Sequence, residues 1–250
     1  PAMAAAETAF ACRREAAALF DVPEPDQVVF TFNATHGLNI AIKTLVKPGS
    51  TVLISGYEHN AVTRPLRAIP NVTIKAAESP LFDREAALEA FRRELTPQVD
   101  AVVCTHVSNV FGFILPIESI AALCRQRGVP LIVDASQTAG IFPIDMERDC
   151  IDVLCFTGHK SLMGPQGTGG ICVRKGLGIR PLKSGGSGIL TFSKTHPSVM
   201  PAALEAGTLN GHGIAGLRAA LGYLKEQGPD SLRRRERAAM DAFLEQVREI

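Results

Sequence analysis

Seven short apolar runs divide the chain, over residues 27–31, 51–55, 72–75, 101–105, 129–133, 152–156 and 170–174. Most are apolar throughout rather than alternating, as strands covered on both faces are. Between them, apolar residues recur at helical spacing. Residues 3–20 form an Ala-rich helical stretch. Asn33-Ala34-Thr35-His36-Gly37 opens a helix running to about Val46, where Lys47-Pro48-Gly49 stops it. Further helices are expected over 60–68, 83–95, 117–127, 211–226 and 230–250, with Asp83 as an N-cap and Gly128 as a stop. The last carries Met240, Phe243, Leu244 and Val247 at i, i+3, i+4 and i+7. Strands alternating with helices predict an α/β fold: a seven-stranded, mostly parallel sheet covered by helices on both faces.

Ligands of such sheets bind beyond the carboxyl ends of the strands. The residues of chemical interest collect there: Asn33, Ala34 and Thr35 after the first strand, His59 after the second, Asn109 after the fourth, Asp134 and Gln137 after the fifth, and Thr157, His159 and Lys160 after the sixth. Lys160 follows the apolar run 153–156 and precedes a Gly- and Pro-rich turn, where backbone can pass close to a ligand. A lysine partly desolvated there is a nucleophile for a carbonyl; the plainer reading is a solvated loop lysine. Asp134, at the mouth of a buried strand, either caps a following helix or pairs with a buried cation such as a protonated pyridine nitrogen. The helix start at Ala34-Thr35-His36 is either ordinarily capped or a phosphate seat. His59 is either a surface histidine or an imidazole able to stack on a flat ring and relay protons. Asn109 and Gln137 either satisfy loop backbone or hydrogen-bond a ring hydroxyl.

Composition then removes whole classes of function. The chain has 250 residues, 46% of them apolar, so a sizeable core is available. A formal net charge of +1 gives no reason to expect nucleic acid or a membrane surface as partner. No apolar run approaches the roughly 20 residues of a membrane span, and no signal peptide is visible. The six cysteines, at 12, 104, 124, 150, 155 and 172, contain no CxxC pair, and Cys104, Cys155 and Cys172 lie inside strand-like runs. They read as core thiols of a protein in a reducing cytoplasm, and no metal site is expected. Lys183-Ser184-Gly185-Gly186-Ser187-Gly188 is either a linker or a ligand loop, and it lacks Walker spacing. No GxGxxG follows the first strand, which weighs against a dinucleotide site. Arg233-Arg234-Arg235 reads as a solvated helix face.

With these residues in view, the chain resembles the class V, fold-type I pyridoxal phosphate (PLP) enzymes, most of all the cysteine desulfurases and selenocysteine lyases. The specific match is the segment from Val133 to Gly140 followed by that from Phe156 to Pro165. Asn33-Ala34-Thr35, Glu58-His59-Asn60, Ser108-Asn109 and the stretch from Glu205 to Asn210 also fit. The resemblance implies that Lys160 carries the Schiff base and moves the substrate Cα proton. It implies that Asp134 holds the pyridine nitrogen, Gln137 and Asn109 the ring-hydroxyl region, and His59 the ring face. Ala34, Thr35, Thr157 and His159 would hold the phosphate, and Thr208 would reach the phosphate of a partner subunit in a homodimer. His36 and Thr157 depart from the family's usual residues.

The expected activity is conversion of L-cysteine to L-alanine, with sulfur passing to an enzyme cysteine outside this chain and then to a sulfur-acceptor protein. Another class V activity (aminotransferase, selenocysteine lyase or epimerase) and a PLP-binding scaffold without turnover remain as alternatives. Residues 1–228 are expected to be a PLP-binding large domain, and 229–250 the start of a helix leading to a C-terminal small domain. Pro1 and the unbroken helical pattern up to Ile250 suggest a piece of a longer protein. Its N-terminal segment and small domain, with the persulfide cysteine and the substrate-carboxylate arginine, would then lie outside this chain.

Overall fold

The computed structural model describes residues 2–190 and 192–248. Its elements alternate as the apolar pattern requires: α1 Ala2–Leu19, β1 Val28–Thr31, α2 Ala34–Leu45, β2 Thr51–Ser55, α3 Asn60–Arg67, β3 Thr73–Ala77, α4 Arg84–Glu94, β4 Ala101–Thr105, α5 Ile117–Arg127, β5 Leu131–Asp134, β6 Val153–Thr157, β7 Gly169–Val173, α6 Gly211–Gln227 and α7 Pro229–Val247. The seven strands form one sheet in the order β1-β7-β6-β5-β4-β2-β3. Pairs β2–β3, β2–β4, β4–β5 and β5–β6 are parallel, and β7 runs antiparallel to both β6 and β1. The chain steps outward from β2 to β3, then crosses back to β4 and continues the other way. The carboxyl ends of β2 and β4 therefore flank a topological switch point, where a crevice opens.

Strand side chains alternate between two cores. Val102 and Cys104 of β4 join α1, α4, α5 and α6 on one face, while Ala101 and Val103 join α2 and α3 on the other. Burial on both faces is why the strands read as unbroken apolar runs. The expected strand at 129–133 begins later, at Leu131. Gly128 adopts φ +67° and the Val129 amide closes α5 on Cys124 O at 3.0 Å, so Val129 belongs to the helix end. The strand expected at 72–75 runs instead over Thr73–Ala77; it is the sheet's half-exposed edge, where the apolar signal is weakest. The last expected helix is described to Val247, and residues 249 and 250 lie outside the described residues.

The link between β6 and β7 carries Lys160, and two glycines fix its course. A Cβ on Gly158 would strike the Thr168 hydroxyl; one on Gly169 would lie 2.7 Å from Phe156 O and 2.8 Å from Asn33 Cα. Glycine thus lets β7 start flush against the residue that begins α2.

Candidate active site

Nine of the ten residues singled out from the sequence line one cleft at the carboxyl ends of the strands: Ala34, Thr35, His59, Asn109, Asp134, Gln137, Thr157, His159 and Lys160. The cleft opens to solvent and offers a cavity of about 230 Å³. Thr208 is the exception. It is exposed and lies in a neighbouring hollow with Phe32, His36, Lys183 and Glu205.

Each side chain is placed by local backbone chemistry. Asp134 ends β5 and is 4% exposed. Its Oδ1 accepts from Ser136 N at 2.9 Å and Ser136 Oγ at 2.5 Å, and Oδ2 takes no hydrogen bond from the described residues. The helix-cap alternative for Asp134 is half right: it closes a tight turn, with no regular helix following. At α2, Asn33 is the N-cap and its side chain accepts the His36 amide at 3.0 Å. The amides of Ala34 and Thr35, one turn too early for an intrahelical acceptor, remain for an anion, and the helix dipole favours negative charge there. His59 is the N-cap of α3; its Nδ1 accepts the Ala61 amide at 3.1 Å. That bond assigns the ring proton to Nε2. Thr157 Oγ1 and His159 Nδ1 lie 3.0 Å apart, so these two residues brace each other. Gln137 is fixed through its carbonyl, which accepts from Ser161 Oγ at 3.2 Å, one residue past Lys160.

Of the two readings of Lys160, the structure fits the solvated loop lysine. Lys160 is exposed, so the protein by itself does not desolvate the amine. The glycine-rich turn that brings Lys160 to the cleft also leaves its side chain uncovered.

Two acids at the cleft differ. Asp134 lines it, whereas Glu58, one residue before His59, is half-buried and does not line it, with its carboxyl Oε2 shielded from solvent. Burial pushes the Glu58 carboxyl up to about 8 and the Asp134 charge adds to this, against hydrogen bonds from Ser55 and from the Thr105 amide. His106, following β4, is held down to about 4, by burial first and Arg84 second, and its Nδ1 has no partner. Glu58 and Ser136 were missed as functional candidates. Both stood inside quoted motifs, but only tertiary burial and turn geometry give them a role.

Five of the six cysteines behave as core thiols, and Cys150 is half-buried. Cys12, Cys104, Cys124, Cys155 and Cys172 are buried. Burial raises Cys12 and Cys124 to about 12 and lifts Cys104, Cys155 and Cys172 well above the usual thiol range. No group of side chains suited to a metal ion occurs among the described residues. No described helix is long and apolar enough to cross a membrane.

Comparison with known proteins gives this geometry a family. The class-V aminotransferase family model matches residues 2–250. The chain belongs to that family. A probable cysteine desulfurase of Xylella fastidiosa (strain 9a5c) is 34% identical over 98% of this chain and 61% of its own length. The cysteine desulfurase IscS of Serratia proteamaculans is 34% identical over 82% of this chain and 49% of its own. The chain thus spans about half to three-fifths of these curated relatives. Among solved structures, the apo cysteine desulfurase of Thermococcus onnurineus NA1 superposes with a TM-score of 0.87 at 25% identity, over 99% of this chain and 64% of that one. A complex of the cystine C-S lyase C-DES with its reaction product cysteine persulfide superposes at 0.80 with 28% identity, covering 90% of this chain and 63% of that one. A C-DES mutant with glycine covalently linked to its PLP cofactor gives 0.82 at 25% identity, over 93% and 64%. Within the class-V family the desulfurase-like members are therefore prominent neighbours of this chain.

Proposed function

We propose that this chain is the cofactor-binding part of a PLP-dependent enzyme of the cysteine desulfurase type. The reaction would take L-cysteine to L-alanine and pass the sulfur to a cysteine outside this chain. The observation that carries the reading is the cleft. It holds an accessible lysine amine, a buried carboxylate with one oxygen free of protein partners, and two uncommitted amides at a helix N-terminus.

That donor set fits PLP. Asp134 Oδ2 would accept from the protonated ring nitrogen and keep the ring cationic. Ala34 and Thr35 amides, with Thr157 and His159, would hold the phosphate. Asn109 and Gln137 would contact the ring-hydroxyl side, and His59 would cover the ring face. When bound, the cofactor supplies an electron sink for the electrons left at a substrate Cα. Lys160 Nζ would hold the aldehyde carbon between turnovers and carry the Cα proton away during them. His59 Nε2, bearing its proton, is available to donate within the cleft.

Thr208 would serve the phosphate of a partner subunit in a homodimer; its place outside its own chain's cleft favours that reading. Residues 1–228 would form the large domain and 229–250 lead to a small domain carrying the sulfur-accepting cysteine. The burial of five of the six cysteines here supports an acceptor located elsewhere. A sulfur-acceptor protein and a cytoplasmic setting complete the proposal.

The likeness to C-DES favours a second reading, C–S bond cleavage without an enzyme-bound sulfur. Two measurements decide. Borohydride reduction of the purified protein with PLP, followed by peptide mapping, is expected to place the pyridoxyl group on Lys160. Alanine release from L-cysteine by the full-length protein separates desulfuration from lyase chemistry; an adduct elsewhere refutes the site.

A further inference from the structure

Glu58 sits at the switch point between β2 and β4. Its Oε1 accepts from Ser55 Oγ, at the end of β2, and from the Thr105 amide, at the end of β4, the latter at 2.8 Å. Thr105 is the register partner of Asp134, so this carboxyl lies beside the strand pair that presents the proposed ring-nitrogen partner. Its Oε2 is buried and meets no donor or acceptor. Glu58 belongs to none of the ion pairs among the described residues. A carboxylate with one oxygen dry and unpaired, in the field of a second carboxylate and without a counter-charge, is expensive; the neutral acid, which leaves only an O–H without an acceptor, costs less.

We propose that Glu58 is a positioning residue that works as a neutral carboxylic acid, joining the ends of β2 and β4 while leaving Asp134 the only charged carboxylate of the two. The inference rests on the PLP reading above and adds a residue which that reading does not use. An ionised Glu58 would repel Asp134 and weaken its hold on a cationic ring nitrogen. Neutral Glu58 keeps the two hydrogen bonds and removes the repulsion.

Few other groups face it. Asp134 of β5 is the one charged neighbour acting on it across the sheet. Cys104 of β4 is a thiol kept protonated by burial. On its own turn, Tyr57 donates its hydroxyl to Ser79 O, and His59 points its Nδ1 at the Ala61 amide. Burial, helped by Asp134, raises Glu58 from 4.5 to about 8. A raised folded value means that its contribution to stability is complete below about pH 4.5 and is lost as pH climbs through about 8.

The test uses the full chain with and without PLP. Glu58→Gln preserves an acceptor for Ser55 and Thr105 and cannot ionise. Its thermal midpoint is expected to rise relative to the parent as pH goes from about 5 to about 9, with or without PLP. In the loaded proteins, visible absorption should agree at about pH 6 and diverge above about pH 8, where only the parent gains a charge. A midpoint difference that stays constant with pH, or a Glu58→Gln spectrum already altered at about pH 6, overturns the proposal. Should the variant not fold, the parent's glutamate carboxyl signals in carbon NMR decide: one titrating near 8 supports the proposal, and none outside the ordinary range overturns it. Failure of the PLP reading would show separately, as a missing Lys160 adduct, and would leave the PLP-free arm legible.

Discussion

Asp134 owes its orientation to a residue two positions away. Ser136 fixes Oδ1 with two hydrogen bonds, so the other oxygen faces the cleft without an ordering cost. Asp134→Asn keeps the shape and removes the charge. Charge-assisted bonds contribute about 1.5–3 kcal/mol, so PLP affinity should fall roughly ten- to hundredfold by spectroscopic titration, with little change in the apo melting temperature. Lys160→Ala should abolish the borohydride adduct and leave the fold intact, because that side chain is exposed. His106 makes a prediction about acid. Its folded value, near 4, lies below the free imidazole's 6.5, so its contribution is complete above about 6.5 and is lost as pH falls toward 4. His106→Asn should flatten the decline in melting temperature over that window; an unchanged slope would show that His106 titrates normally.

Among the elements, the start of α2 does most to shape the cleft. Asn33 caps the helix through the His36 amide, and Gly169 permits β7 to pass against Asn33. Asn33→Ala removes the cap and should cost about 0.5–2 kcal/mol by denaturant unfolding. Gly169→Ala forces a methyl group against Asn33 Cα and Phe156 O and should cost about 1–3 kcal/mol. It should also weaken PLP binding if the proposed phosphate seat is right, because the displaced backbone begins that proposed seat. Elements of this kind were legible from sequence because their signals are local: an apolar run ending in a polar residue, a cap, a stopping glycine. Thr51–Ser55, Ala101–Thr105 and Ile117–Arg127 fall where the pattern put them. The gathering of eight polar residues and Ala34 into one cleft is what the strand-end rule leads one to expect. What stayed illegible depends on distant contacts. The half-exposed edge strand β3 carries little apolar signal. The burial of Glu58 needs β4 beside β2, and strand order is not written in either strand.

Across the whole molecule, the Arg13–Glu205 pair joins residues from opposite ends of the chain. Both side chains are nearly buried, at 6% and 7% exposure, and their guanidinium–carboxylate bonds are 2.9 and 3.0 Å. Its place explains it. β1 is an edge strand, paired only with β7, and an open edge offers unpaired backbone groups to other chains. Arg13, from α1, donates to Val28 O, and Glu205 accepts the Phe30 amide at 2.7 Å. One ion pair thus closes the edge of β1 and ties α1 to the segment carrying Thr208. Glu205→Ala leaves a buried guanidinium and an orphaned amide, for a loss of about 3–5 kcal/mol in unfolding free energy. Light scattering should also report increased self-association of the variant, since the β1 edge is then open. Replacing both residues by apolar ones, Arg13→Met with Glu205→Leu, removes the lone charge and should restore part of the stability. Full restoration is not expected, because Phe30 N–H and Val28 O still lack partners. A double variant as stable as the parent would mean that the pair does not serve the strand edge.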